Sequence, residues 1–273
     1  MYGYGKAGCQ VSDGSVTTTR ADSVLRITID RPDRRNSLSH QMTDTLVDIL
    51  GAAAYDDSLR AVHLTGAGEH FCTGADWVAT NSGQRPRPGD LVRRIPHTAN
   101  RIVELVATIQ LPVVVTVRGW AVGLGANLAL AADFTVADEG ATFWEPFLSR
   151  GFTPDTGSTW LLPRLAGIAR AKRMLLLGEK VSGADAADWG LIHSAVPADE
   201  VETAAEELLT RLAGGPTVAI GLAKQAIGYG QHATLAQSMS QELSNLELSC
   251  RTADFKEGLA AFRERRDPHF TGR

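Results

Sequence analysis

Hydrophobic and polar positions alternate with two different periods along the chain. Apolar side chains at Leu25, Ile27 and Ile29 are separated by polar ones, which is the pattern of a half-buried strand. The segment 113–117 (VVVTV) is a continuous β-branched run and predicts a strand that is buried on both faces. Two further strands are predicted at 61–65 and 134–137.

Helical spacing of apolar residues accounts for most of the remaining pattern. Ser39 is placed to cap a helix whose apolar positions continue to Ala53. A Gly-rich segment at 119–125 leads into an apolar helix, and from Asp155 onward the pattern is mostly helical. Strands that alternate with helices, followed by helices alone, predict an α/β core with a helical C-terminal part. The longest amphipathic stretches of that part lie at 200–213, 216–229 and 235–252.

Composition agrees with this architecture and excludes several classes of protein. With 44% hydrophobic residues and a formal charge of −4, the chain is too apolar and too balanced to be disordered, and its charge gives no reason to expect a nucleic-acid partner. No apolar run reaches the length of a membrane span. The three cysteines are far apart, which is typical of the reducing cytoplasm. Residues 1–20 lack the apolar core of a signal peptide and are predicted to form a flexible leader.

The Gly-rich segment at 119–125 allows three interpretations. A dinucleotide-binding fingerprint fits poorly, because Leu128 occupies the position of its third glycine. Alternatively, the glycines only permit close packing of a helix on a sheet. In the third interpretation, free N–H groups at the start of the helix face a ligand oxyanion. A second loop of small residues, 71–76, can supply another N–H donor, and two converging donors would form an oxyanion hole.

Several motifs together resemble the enoyl-CoA hydratase/isomerase (crotonase) family, from about residue 21 to the C-terminus. They are R-P-x-x-x-N-S-L at 31–38, F-x-x-G-A-D at 71–76, G-x-A-x-G-x-G-x-x-L-A-L-A-x-D at 119–133, P-D-x-G at 154–157, A-x-x-W-G-L-I at 186–192 and D-F-K-E-G-L-A-A-F at 254–262. The closing segment is most similar to the epoxyphenylacetyl-CoA isomerase-like members. The resemblance implies an α/β fold with a spiral ββα core over residues 21–200, which carries the acyl-CoA site. It also implies a helical C-terminal segment, 201–273, that forms homotrimers or homohexamers.

The resemblance further implies an acyl-CoA thioester as substrate. Its carbonyl oxygen would accept hydrogen bonds from two backbone amides, here those of Ala75 and Leu124. Coenzyme A would be part of the substrate, so no separate cofactor is expected, and no spacing of histidines or cysteines indicates a metal. Leu124 stands where the family commonly has glycine, and its side chain is expected to crowd the acyl pocket or to alter the loop.

Arginines beside the R-P turn are candidates for binding the CoA phosphates. A guanidinium group can bind a phosphate through two parallel hydrogen bonds, although a solvated charged turn is the alternative interpretation. The predicted CoA-binding residues are Arg31, Arg34, Arg35 and Asp76.

The sequence departs from the family's hydratases at the catalytic positions. Those hydratases use two glutamates, and the matching positions here are Asn127 and Phe147, which cannot exchange a proton. Asp155 remains, at a position where isomerases of the family have a working aspartate, and one carboxylate is enough to move a proton. The alternative is that Asp155 only caps the helix that follows it. Glu145 is a secondary candidate, because its side chain is expected on the opposite face.

The sequence therefore predicts a cytoplasmic acyl-CoA isomerase or lyase in which Asp155 shuttles a proton. Asn127 would orient a water molecule or a polar acyl group, and Phe147 and Trp144 would shape an apolar acyl pocket. Two alternatives stay open: a hydratase in which Asp155 or Glu145 activates water, and a CoA-thioester-binding protein that has lost catalysis.

Overall fold

A six-stranded sheet with the strand order β1-β2-β3-β4-β6-β9 forms the centre of the computed structural model, which describes residues 14–76 and 88–273. β1 and β2 are antiparallel, and the other neighbours run parallel. A smaller sheet has the order β5-β7-β8. The strands are β1 Ser15–Ala21, β2 Val24–Asp30, β3 Ala61–Gly66, β4 Val113–Val117, β5 Trp120–Val122, β6 Phe134–Asp138, β7 Thr142–Trp144, β8 Val181–Ser182 and β9 Ser194–Val196.

The four strands predicted from periodicity are confirmed, and β4 has every residue buried. The prediction of a flexible leader over 1–20 is wrong from Ser15 onward, because β1 pairs with β2 along its whole length. All of β1 except Val16 is exposed, so it has no apolar alternation from which a strand could be predicted. The remainder of that leader, residues 1–13, lies outside the described residues.

Ten helices are described within residues 14–76 and 88–273. They are α1 His40–Ala53, α2 Asp90–Arg94, α3 Ala99–Thr108, α4 Leu124–Ala131, α5 Ser158–Leu177, α6 Gly183–Asp188, α7 Val201–Ala213, α8 Thr217–Gly230, α9 Leu235–Ser249 and α10 Ala253–Glu264. As predicted, Ser39 caps α1 by accepting a hydrogen bond from the N–H of Met42. The helix predicted over 235–252 ends at Ser249, and Thr252 caps the next helix, α10.

Helices cover both faces of the central sheet. The main core lies on the face where α1, α3 and α4 pack, and it includes Leu46, Ile102 and Leu128. On the other face, Ala205 and Leu209 of α7 pack against a smaller cluster of sheet residues. None of the helices among the described residues is long and apolar enough to cross a bilayer. The candidate site lies in the loops that connect these strands and helices.

Candidate active site

The two loops that were predicted to supply amide donors lie side by side. The N–H of Cys72 donates to the carbonyl oxygen of Trp120 at 3.0 Å, and the N–H of Val122 donates back to the carbonyl oxygen of Cys72 at 3.0 Å. Part of the Gly-rich segment is the strand β5, which also pairs with β7. The pairing at Cys72 brings the 71–76 loop against the start of α4.

Two glycines make that contact possible. A Cβ atom on Gly125 would lie 2.2 Å from the carbonyl oxygen of Cys72, and one on Gly74 would lie 2.7 Å from that of Val122. Gly74 also has a φ of +87°, a conformation that glycine adopts without steric cost. Any larger residue at either position would push the two loops apart.

The amides of Ala75 and Leu124 are the two predicted donors, and neither has a hydrogen-bond acceptor among the described residues. Leu38 holds the backbone on both sides of Ala75. Its N–H donates to the carbonyl oxygen of Gly74 at 2.8 Å, and its carbonyl oxygen accepts from the N–H of Asp76 at 2.9 Å. The N–H of Ala75 itself has no hydrogen-bond partner among the described residues. Leu124 is the first residue of α4, where an N–H group has no acceptor within the helix.

The Leu124 side chain is only 4% exposed and packs into the main core. The positive φ of this turn, +54°, belongs to the preceding residue, Gly123, which adopts it without steric cost. The N–H of Gly123 donates to the carbonyl oxygen of Trp144 at 2.9 Å, which fixes the start of the helix.

A chain of hydrogen bonds links Asn127 to Asp155. The side-chain amide of Asn127 donates to the hydroxyl of Thr156 at 2.8 Å, and that hydroxyl donates to the Asp155 carboxylate at 3.1 Å. Asn127 is fully buried and Thr156 is 5% exposed. Thr156 has a φ of +48°, which is strained for a β-branched residue and keeps its hydroxyl beside Asp155.

Asp155 does not cap the following helix with its side chain. The N-cap of α5 is Gly157, which makes no side-chain capping bond, and Asp155 contributes only its backbone oxygen to Ser158, at 3.1 Å from the Ser158 nitrogen. Burial raises the pKa of the Asp155 carboxyl, and the hydrogen bond from Thr156 acts in the opposite direction. The Asp155 carboxylate therefore has no capping role, and its part in proton transfer stays a prediction.

Glu145 is placed differently from the expectation that it points away from the site. Its side chain is completely buried, and neither carboxyl oxygen has a hydrogen-bond partner among the described residues. Burial raises the pKa of Glu145 well above its ordinary value, and the charge of Asp155 raises it further. The alternation of an extended strand does not apply to Glu145, because β7 ends at Trp144.

The two aromatic residues of the predicted pocket have separate surroundings. Phe147 is buried, and its ring meets that of Phe152 edge to face with centroids 5.6 Å apart. The Trp144 ring meets that of Trp120 at 6.2 Å, its indole N–H donates to the carbonyl oxygen of Gly178 at 2.9 Å, and the Lys180 ammonium lies 4.9 Å from its ring centre.

The predicted CoA-binding residues divide into two pairs. Arg31 and Asp76 form an ion pair of 2.8 Å, and their side chains are only 7% and 9% exposed. Because Asp76 neutralises the Arg31 guanidinium, Arg31 offers a phosphate less than an exposed arginine does. The prediction that Arg31 and Asp76 bind CoA stays a prediction. Arg34 and Arg35 are exposed. The carbonyl oxygen of Arg35 accepts a hydrogen bond from the N–H of Thr73 at 3.2 Å, which ties this turn to the Ala75 loop.

Thr156 and Asn36 are site residues to which the sequence analysis assigned no role. The Asn36 side chain is buried and joins the R-P turn to the 66–71 loop, since it donates to the carbonyl oxygens of Ala67 at 2.8 Å and His70 at 2.6 Å. The sequence feature that pointed to Asn36 was its place in the R-P-x-x-x-N-S-L motif. For Thr156 the only signal was its position next to Asp155.

No group of three or more His, Cys, Asp or Glu side chains among residues 14–76 and 88–273 is arranged to hold a metal ion. The polar groups of the candidate site are two backbone amides without an acceptor in the described part of the chain, one hydrogen-bonded aspartate and one buried glutamate. Such a set fits stabilisation of an oxyanion and transfer of a proton.

Comparison with known proteins gives one consistent result. The sequence profile of the Enoyl-CoA hydratase/isomerase family matches residues 19–273. The chain is 38% identical over 250 residues to 1,2-epoxyphenylacetyl-CoA isomerase of Escherichia coli strain K12, covering 92% of this chain and 95% of the relative. It is 32% identical over 255 residues to 2,3-dehydroadipyl-CoA hydratase of the same strain, covering 93% and 98%.

The fold comparison agrees. An enoyl-CoA hydratase from Bacillus anthracis superposes with a TM-score of 0.88 at 33% identity, covering 96% of this chain and 100% of that one. The predicted fold class, an α/β spiral core with a helical C-terminal segment, is confirmed.

Proposed function

Because this chain belongs to the enoyl-CoA hydratase/isomerase family, and so is an enzyme that acts on acyl-CoA, we propose that it is an isomerase in which Asp155 moves a proton along the acyl chain. The observation that carries this proposal is the environment of the Asp155 carboxyl group. It is partly buried, it is oriented by Thr156, and it is not used to cap a helix.

The thioester oxygen would be held by the N–H groups of Ala75 and Leu124. Two amide donors aimed at this oxygen stabilise the enolate more than the neutral thioester, because negative charge develops there. The availability of both N–H groups and the close pairing of their loops support this role.

Asp155 would carry out both proton transfers. Its carboxylate removes a proton from a carbon near the thioester, and the electron pair of that C–H bond moves into the enolate. The carboxylic acid then returns the proton to another carbon, and the double bond shifts along the chain. One carboxylate is enough for this reaction, and a raised pKa suits a base that must also act as an acid.

Asn127 and Phe147 stand where hydratases of the family have their two glutamates, so neither can replace them in proton transfer. Asn127 has a free acceptor, since its Oδ1 atom has no partner among the described residues, and this atom would orient a polar acyl group or a water molecule. Phe147 would form an apolar wall. The exposed Arg34 and Arg35 are left as the residues proposed to bind CoA phosphates.

Hydration is the second candidate function, because a hydratase is also among the similar proteins. In that reaction Asp155 would activate the water molecule. Glu145 is less suited to this task, because a fully buried carboxyl with no hydrogen bond favours its neutral form, which is not a base.

Product analysis with an Asp155 variant tests the proposal. The purified protein is incubated with trans-2-enoyl-, 3-enoyl- and dienoyl-CoA, beside Asp155→Asn and the control Asp188→Asn, which changes an exposed aspartate. We expect isomerised thioesters, a loss of kcat of at least ~10²-fold in Asp155→Asn, and no such loss in the control. Fast hydration that survives Asp155→Asn would contradict the proposal, and binding of every thioester without turnover would indicate a protein that has lost catalysis.

A further inference from the structure

Glu145 is the most isolated acidic side chain of the site. It is 0% exposed, and both of its carboxyl oxygens lack hydrogen-bond partners among the described residues. Phe143 and Phe147, two positions before and after it in the sequence, are buried as well. An ionised carboxylate without partners is strongly disfavoured in such surroundings, whereas a neutral carboxylic acid is tolerated.

The surroundings of Asp155 favour ionisation more than those of Glu145. Asp155 is only partly buried, and its carboxylate accepts a hydrogen bond from the Thr156 hydroxyl at 3.1 Å. Glu145 has no such bond. When a proton is removed from this pair, Asp155 therefore loses it first, and the resulting negative charge makes ionisation of Glu145 still less favourable.

No positive charge compensates Glu145. Within residues 14–76 and 88–273, the charge that acts on Glu145 is that of Asp155, and no lysine, arginine or histidine offsets the cost of its burial. An apolar side chain at this position would avoid that cost, so packing alone does not explain a glutamate there. Two carboxyl groups whose environments favour opposite protonation states are typical of acid–base sites.

Both residues adjoin the first turn of α4, because Trp144, just before Glu145, accepts a hydrogen bond from Gly123 and Thr156, just after Asp155, accepts one from Asn127. From this placement we propose that Glu145 is a positioning residue that acts through Asp155. It keeps a neutral carboxylic acid near the Asp155 carboxylate, so that the resting pair holds one proton and one negative charge. The inference rests on the proposed function, in which Asp155 is the group that accepts the proton from the acyl chain. When Asp155 accepts that proton, both carboxyl groups are neutral and the single negative charge lies on the thioester oxygen. A second buried negative charge at Glu145 would oppose formation of this enolate.

Infrared spectroscopy tests the protonation state of the pair without turnover. The C=O stretch of a carboxylic acid is followed against pH in the wild type, Glu145→Gln, Asp155→Asn and the control Glu139→Gln, which changes an exposed glutamate. We expect a protonated carboxyl at neutral pH in the wild type, its loss in Glu145→Gln, and its retention in the control. In Asp155→Asn the band should disappear at a lower pH than in the wild type, because the charge that raises the pKa of Glu145 is gone.

The free energy of unfolding offers a second measurement. The pKa of Glu145 is raised in the folded protein above its ordinary value of 4.5. At pH values above 4.5, folding is therefore accompanied by uptake of a proton at Glu145. Stability is therefore expected to fall with rising pH, from about pH 4.5 upward, more steeply in the wild type than in Glu145→Gln. Equal slopes in the two proteins would overturn the assignment of a neutral Glu145.

The pH dependence of kcat tests the functional part. The wild type is expected to lose activity toward alkaline pH as Glu145 ionises, and Glu145→Gln to lack this decline, while Glu139→Gln keeps it. Identical alkaline declines in the wild type and Glu145→Gln would contradict a role through Asp155. If no thioester is turned over, the proposed function fails, yet the infrared band still decides whether Glu145 is protonated.

Discussion

Asp155 illustrates how a neighbouring residue can decide what a carboxylate does. An aspartate just before a helix usually caps it, but here the helix begins one turn later, at Ser158, and the carboxylate accepts its hydrogen bond from Thr156. Thr156 in turn is held by the buried amide of Asn127. Asn127, which stands where hydratases of the family have a glutamate, is thus linked through Thr156 to Asp155, the residue proposed to transfer the proton.

Replacing Thr156 by valine tests that support. The substitution keeps the shape of the side chain and removes the hydroxyl, so the Asp155 carboxylate loses its donor and its pKa rises further. We expect the acidic limb of kcat to move to higher pH and kcat at slightly acid pH to fall about tenfold, consistent with a charged hydrogen bond of ~1.5 kcal/mol. Thr156→Ser, which keeps the hydroxyl, should retain the wild-type profile. A valine variant with an unmoved profile would remove Thr156 from the mechanism.

At the scale of elements, the site depends on the contact of two loops. The short strand β5 and the loop around Cys72 exchange hydrogen bonds, and this pairing places the free amides of Ala75 and Leu124 on neighbouring segments. The contact requires the absence of side chains at Gly74 and Gly125. Glycine here serves a close approach of backbones and not flexibility.

Two alanine substitutions with opposite expected signs test this interpretation. In Gly125→Ala the new methyl group would overlap the carbonyl oxygen of Cys72, so we expect a loss of stability of more than ~1 kcal/mol and weakened binding of thioesters. Gly51 lies inside α1 with open space around it. Gly51→Ala should therefore stabilise the protein by ~0.5–1 kcal/mol, because alanine has the higher helix propensity. Thermal unfolding and a CoA-thioester titration measure both, and a harmless Gly125→Ala would show that the loops do not need this contact.

At the scale of the whole molecule, the C-terminal helices leave an apolar surface uncovered. Four side chains of α9 follow each other at helical spacing on one stripe, and each is more than half exposed: Leu235, Met239, Leu243 and Leu246. Exposed apolar surface of this kind marks an interaction site. We propose that the stripe contacts other copies of the chain, in keeping with the predicted trimer or hexamer.

A charge placed in the stripe should change the assembly state. Leu243→Glu is expected to reduce the molar mass measured by light scattering at micromolar concentration to that of a smaller species, because a charge would have to be buried in the contact. Glu242→Gln, on an exposed side of the same helix, serves as the control. A wild type that is already monomeric, or a variant with unchanged mass, would contradict the proposal.

Local patterns in the sequence determined most of the secondary-structure elements, and its motifs indicated the family. The alternation in β2, the buried run of β4 and the cap at Ser39 are properties of neighbouring residues, so they could be predicted without knowledge of the fold. The edge strand β1 could not, since it buries no face and depends on its partner β2.

The tertiary structure decided how charges and donors are paired. The sequence indicated Arg31, Asp76, Asp155 and Glu145 as candidates, but only the fold shows that the first two neutralise each other and that Glu145 is buried without a hydrogen-bond partner. Burial and long-range contact depend on which elements meet in space, and the protonation state of a carboxyl group follows from both. For this reason the sequence could indicate most of the candidate residues, while their burial and hydrogen-bond partners required the structure.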